Sequence, residues 1–247
     1  MVRLIRITAR GLHGQLLESV GQAIAIGELS EDQQISPETM AEEANVSRTV
    51  VREVLKVLEG KGMVGARPRT GTRVRAADEW DLLDPDVIRW RAAGPDKAKQ
   101  LDDLMKIRSA VEPLAARGAC ENATASNMTA LNQALDAMQA ASANDDPDAF
   151  TAADVRFHRE LIRSGGNLIL AQLAAPIEAV LRVRRELGLT PDRITDEALD
   201  NHRAIVRAIS DRDEAAAEIA SRKIVDVAGA EIWARLESDE KVPRAQA

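Results

Sequence analysis

Tyrosine is absent, and the other aromatics among the 247 residues are only Phe150, Phe157, Trp80, Trp90 and Trp233. Sandwiches and barrels draw on aromatic and β-branched residues, so a chain this poor in aromatics and rich in Ala and Leu leans to helices. Cys120 is the single cysteine, which excludes an intramolecular disulfide framework and fits a reducing cytoplasm. No run of about 18 apolar residues occurs, so no membrane span is expected. The stretch Met1-Val2-Arg3-Leu4-Ile5-Arg6 has an early basic cluster without an apolar segment behind it, so secretion is not expected.

Acidic residues outnumber basic ones, for a net charge of −7, which at first sight argues against nucleic acid. The distribution argues otherwise. Residues 1–77 carry 11 Lys/Arg against 9 Asp/Glu, and residues 78–247 carry 22 against 31. A charge asymmetry of this kind points to a nucleic-acid-binding segment attached to something else, although an acidic helical protein with a slightly basic end has the same profile.

Apolar residues at helical spacing (Leu12, Leu16, Val20, Ala23, Ile24) predict a first helix over 11–26, and Ser36-Pro37-Glu38 is a start signal for a second. Asn45 suits the left-handed turn that ends it, and Ser47 caps a third helix with Val50, Val54, Leu55, Val57 and Leu58 on its apolar side. Arg67 to Arg75 reads as a β-hairpin turning near Thr70-Gly71. Residues 78–96 read as a linker with a short helix, Trp80 and Trp90 covering a domain junction. Helical segments are expected at 97–121, 126–143, 147–164, 167–187, 195–210 and 213–236, with a polar tail over 238–247. The fold class is therefore mainly α: a domain of three helices and a small hairpin over 1–77, and an all-helical bundle over 97–237.

Two short helices joined by a tight turn, the second capped and basic, match a helix-turn-helix. Arg48, Thr49 and Arg52 occupy the first turn and a half of the second helix, where side chains reach base edges: Arg pairs bidentately with guanine, and Thr hydrogen-bonds or touches a thymine methyl. Arg69, Thr70 and Gly71 stand at the hairpin tip, where glycine permits close backbone approach to a phosphate or the minor-groove floor. Each residue alone reads more readily as a solvated surface position; the order helix, turn, capped basic helix, basic hairpin favours a DNA reader.

Three histidines are present. His13 reads as a surface or packing residue. Asp154 and His158 lie one helical turn apart on one face, and His202, on a later helix, can face them inside a bundle. A carboxylate with two imidazoles suits a divalent transition metal, zinc or similar, but by spacing alone an Asp/His pair is more often a hydrogen-bonded surface pair.

The stretch Ser47-Arg48-Thr49-Val50-Val51-Arg52-Glu53-Val54-Leu55, followed by Leu58, Gly62-Met63-Val64 and Thr70-Gly71-Thr72, resembles the winged helix-turn-helix of the GntR family of bacterial regulators. Ile35-Ser36-Pro37-Glu38 stands where that family has Pro-Ser-Glu-Arg, so its phosphate-contacting arginine is missing. The remainder resembles the FCD ligand-binding domain of the FadR subgroup, a bundle of six to seven helices, through Leu104 to Ala116, Asp154 to His158 and Asn201-His202. That resemblance implies a divalent metal on Asp154, His158 and His202, and Arg108 pointing into the cavity at the effector's carboxylate. The further last-helix histidine of the family is absent from Ser221-Arg222-Lys223-Ile224-Val225. Trp80 to Trp90 is similar to a branch that senses sugar acids.

The resemblance implies a cytoplasmic homodimeric repressor of a catabolic operon, reading a palindromic site on double-stranded DNA and released or engaged by a small carboxylate such as a sugar acid. Two other classes fit parts of the pattern: a metalloenzyme built on Asp154, His158 and His202, for which no nucleophile–base pair is recognisable, and a ligand-independent DNA-binding protein, which a polar cavity around Arg108 would exclude.

Overall fold

The computed structural model describes residues 11–67, 71–191 and 195–241 and divides into two units, Met1–Lys97 and Ala98–Ala247.

In the first unit, α1 (Leu12–Ala25) precedes a short strand β1 (Gln34–Ile35), α2 (Pro37–Ala44) and α3 (Arg48–Gly60). The Ser36 hydroxyl accepts from Thr39 N at 3.2 Å and Pro37 occupies the first helical position, so α2 begins where its chemistry dictates. Asn45 takes the left-handed conformation (φ 52°, ψ 47°), and Ser47 caps α3 by accepting from Val50 N at 3.3 Å. Strands β2 (Val64–Arg67) and β3 (Gly71–Val74) form the hairpin, with Val64 opposite Val74. The antiparallel sheet has order β1-β3-β2, with Ile35 opposite Thr72. At two residues, β1 is too short to show alternation, and the sequence does not announce it.

Residues 78–96 pack on the first unit instead of standing as a linker. Helix α4 (Pro85–Arg91) is capped by Asp84, which accepts from Asp86 N and Val87 N. Asp84 also receives the Lys61 ammonium at 2.7 Å, and Arg89 pairs with Glu18 of α1. Trp90 is buried with Leu16, Val20, Ile24, Val54, Leu58 and Val87, and Trp80 Nε1 donates to the Arg75 carbonyl at 3.0 Å. Both indoles pack within the first unit's own interior.

The second unit runs α5 (Lys97–Asn122), α6 (Ala125–Ala143), α7 (Pro147–Ser164), α8 (Leu168–Ala171), α9 (Ala174–Glu186), α10 (Asp196–Ser210) and α11 (Glu214–Lys241). The single helix expected over 167–187 is two: Pro176 has no N–H for the Gln172 carbonyl and its ring would crowd it, so the ladder restarts after Leu173. The last helix runs past Ser238, whose hydroxyl donates to the Ala234 carbonyl at 2.7 Å. Helix α7 packs on both α6 and α9. Phe157 and Leu161 enter one apolar cluster with Leu131, Met138, Ile205 and Ile209, and Val155 and Ile162 enter another with Val111, Ile177 and Leu181. A helix buried on two sides has little freedom to rotate, and that fixes the direction of Asp154 and His158.

Candidate DNA interface and ligand cavity

In the first unit, Val51, Val54, Leu55 and Leu58 bury one face of α3, which leaves Arg48, Thr49 and Arg52 exposed together at its N-terminal end. Arg48 lies 3.9 Å from Glu38, a solvated pair of little energetic weight. The acidic neighbour Glu53 is engaged by Lys56 at 2.8 Å. Gly71 opens β3, exposed and with φ +75°, while Arg69 and Thr70 lie outside the described residues. Arg73 donates to the Asp32 carbonyl and ties the hairpin to the loop ahead of β1.

The second unit holds a partly open cavity of about 110 Å³, against roughly 10–15 Å³ for a single water, so it has room for a small organic molecule. Asp154, His158, His202, Arg108, Arg184 and Thr190 are among its lining residues. The sequence-predicted site residues of this unit all converge here. One ligand atom from each of Asp154, His158 and His202 lies within 4.8 Å of the others. The His202 Nδ1 is 2.6 Å from the Ala198 carbonyl, which can only accept, so Nδ1 carries the hydrogen and Nε2 faces Asp154 Oδ1 at 3.0 Å. His158 Nε2 is 3.4 Å from the same oxygen, and its Nδ1 sits 2.6 Å from Glu112 Oε2, turned so that the N–H does not aim straight at it. Both imidazoles are therefore braced from behind with Nε2 turned toward the shared carboxylate, the arrangement that orients histidines toward a metal.

Electrostatics follow from this packing. Burial alone would push the Asp154 carboxyl up, but the flanking His158 and His202 hold it well below its ordinary range. Burial likewise opposes the charge on Glu112, and Arg108 and His158 reverse the effect, holding its carboxyl at about 2. His158, favoured as a cation by Glu112 and Asp154 despite burial, is pushed up to about 9.

Arg108 lines the cavity, as expected, but its fork is turned onto Glu112: Nε donates to Oε1 at 2.5 Å and Nη2 to Oε2 at 3.4 Å, leaving Nη1 beside Met105 Sδ at 3.9 Å. The local pairing that i,i+4 spacing allows is formed. Sequence reasoning missed Glu112 as a brace for His158, and it missed Arg184 altogether. Arg184 sits in Arg182-Val183-Arg184-Arg185, a charge run that reads as a solvated face, yet it is buried, with Nη2 3.2 Å from Glu231 of α11. The last helix presents Ile224 to the cavity from the segment in which a further histidine was sought.

Residues 12–74 match the family "Bacterial regulatory proteins, gntR family", and residues 103–227 match the FCD domain. The chain belongs to the GntR family, with an FCD domain as its second unit. It is thus a DNA-binding transcriptional regulator, of a family of regulators and not of enzymes. The Galactonate operon transcriptional repressor of Escherichia coli (strain K12) is 32% identical over 187 residues, 75% of this chain and 81% of the relative. The Uxu operon transcriptional regulator of the same organism is 28% identical over 187 residues, 73% of this chain and 70% of the relative. In fold, the GntR-family chain is similar to a solved structure of Lar, which controls expression of the Listeria monocytogenes agr system, with TM-score 0.66 and 15% identity over 92% of this chain and 99% of that one.

The donor set of the FCD unit fits a divalent transition metal: one carboxylate and two imidazoles with braced Nδ1 atoms, converging on one cavity.

Proposed function

We propose that this GntR-family regulator is a homodimeric repressor that reads a palindromic operator and is controlled by a small organic acid, of the sugar-acid class, bound in its FCD cavity. The observation that carries this is the convergence of Asp154, His158, His202 and two buried arginines on one cavity, in a chain whose other unit exposes Arg48, Thr49 and Arg52 at the start of α3. A galactonate operon repressor among the relatives supports the class of acid. Asp154, His158 and His202 would hold a divalent metal, which when bound supplies a Lewis-acid site for ligand oxygens. Arg108 contributes positive potential at the cavity wall. A cavity that Arg108, Arg184, Asp154, His158 and His202 line also weighs against a DNA-binding protein without a ligand. Arg48, Thr49 and Arg52 would reach base edges, with Arg69, Thr70 and Gly71 at the backbone or minor groove.

The test is a mobility-shift titration on DNA flanking the regulator's own gene. Specific binding should weaken on addition of the cognate acid, and Arg52→Ala should cost about 1–3 kcal/mol per half-site, felt twice by a dimer. An Arg52→Ala protein with unchanged operator affinity removes that residue from the reading surface. Failure of every sugar acid to change operator affinity or thermal stability overturns the sensing half.

A further inference from the structure

Besides His158 Nδ1, which sits against Glu112, two polar atoms of cavity-lining residues are, among the described residues, buried without a hydrogen-bond partner, Arg184 Nε and Thr190 Oγ1. Burying such groups unpaired costs free energy, and it costs most for a charged one. The local chain explains how they come to share the cavity. Helix α9 ends with Leu189 N donating to the Arg184 carbonyl at 2.8 Å and Gly188 N to that of Arg185 at 3.0 Å. This tight reversal needs the left-handed conformation of Gly188 (φ +67°), and it carries Thr190 back beside the cavity that Arg184 lines from the helix.

Arg108 and Arg184 differ in what they have left to offer. Arg108 gives Nε and Nη2 to Glu112, which leaves Nη1 beside Met105 Sδ. Among the described residues, Arg184 is held through Nη2, by a Glu231 side chain that is one-third exposed. Burial pushes the Arg184 guanidinium down to about 10, Arg108 adds to this, and Asp154, Glu231 and Glu112 oppose it.

We propose that Arg184 Nε and the Thr190 hydroxyl form the subsite that takes the ligand's carboxylate, and that Glu231 competes with the ligand for Arg184. The proposal rests on the acid-sensing reading and specifies where the acid group docks: one carboxylate oxygen accepts from Arg184 and Thr190, while the chain of hydroxyls extends toward Asp154, His158 and His202. Uncharged alditols of the same length lack the group this subsite recognises.

Calorimetric titration of the full-length protein with D-galactonate, D-gluconate and D-xylonate, each against its alditol, tests this. Wild type binds an aldonate in preference to its alditol. Arg184→Gln weakens that aldonate by about 10–100-fold, the worth of a hydrogen bond to a charged group, and Thr190→Val by about 3–10-fold. Glu231→Gln tightens it several-fold, a change of sign that a merely structural Arg184–Glu231 tie between α9 and α11 would not produce. Equal aldonate affinity in wild type and Arg184→Gln overturns the subsite and leaves acid sensing standing. If Arg184→Gln does not fold, Thr190→Val and Glu231→Gln decide, and wild-type affinity in both overturns it. A wild type that prefers none of the three acids to its alditol removes acid sensing, and the subsite falls with it.

Discussion

Glu112 is the side chain on which the cavity's internal order depends, and its loss has a calculable cost. It is fully buried, with one oxygen 2.5 Å from Arg108 Nε and the other 2.6 Å from His158 Nδ1. Glu112→Gln keeps the shape, removes the charge, and turns an amide donor toward Arg108, which can only donate, or toward His158, which can accept only as a neutral imidazole. Breaking a buried pair from one side leaves an uncompensated charge and costs about 3–5 kcal/mol. The electrostatics agree: a carboxyl held at about 2 instead of 4.5, Arg108 and His158 outweighing burial, corresponds to about 3 kcal/mol. Because the folded-state value is depressed, this contribution is complete above the ordinary 4.5 and is lost as pH falls from there toward 2. Urea unfolding at pH 7, with the second unit's transition identified by amide hydrogen exchange in α5 and α7, should show the full loss. An Arg108→Met, Glu112→Leu double variant should recover much of it, since replacing both partners by apolar groups removes the orphaned charge. A Glu112→Gln protein within about 1 kcal/mol of wild type would refute the account of Glu112 as the counter-charge that makes buried Arg108 tolerable.

A Cβ on Gly21 would lie 2.5 Å from the ring of buried Trp90, so Gly21→Ala should destabilise the first unit by about 1–3 kcal/mol, read as a lower urea midpoint in Trp fluorescence. Burial pushes the Asp86 carboxyl up, but Lys61 and Arg89 bring it below its ordinary 3.8; its stabilisation is present above that value and fades as pH falls further, so Asp86→Asn should flatten the acid limb of the same unfolding curve. His158→Ala and His202→Ala should each lower the zinc content of the purified protein in elemental analysis, and wild-type occupancy in both would remove them as ligands.

Much of the fold was legible because it rests on local chemistry. Ser36, Ser47, Asp84, Asp146 and Thr195 accept the backbone N–H groups at the starts of their helices, and capping residues of this kind are visible in a sequence. The place of α4 was not legible, because it is held by partners distant in the chain: Lys61 to Asp84, Glu18 to Arg89, and Gly21 against Trp90. A tryptophan near a boundary looks the same in sequence whether it covers a junction or fills a core. The same limit hid β1, whose two residues acquire meaning only from pairing with β3.

The cavity divides along the same line. Asp154 and His158 could be paired from their spacing, since i and i+4 share a helix face, and both line the cavity with His202. Arg108 and Glu112 have that spacing too, and there it produced a different outcome, because a buried arginine with a carboxylate one turn away satisfies itself locally before it can serve a ligand. Arg184 carries no helical pattern that separates it from Arg182 and Arg185 beside it; only the burial of α9 against α7 turns this one guanidinium inward and the others out. On the proposed acid-sensing reading, Arg184, whose buried Nε has no partner among the described residues, is better placed than Arg108 to take a carboxylate, while Arg108 holds Glu112 against His158.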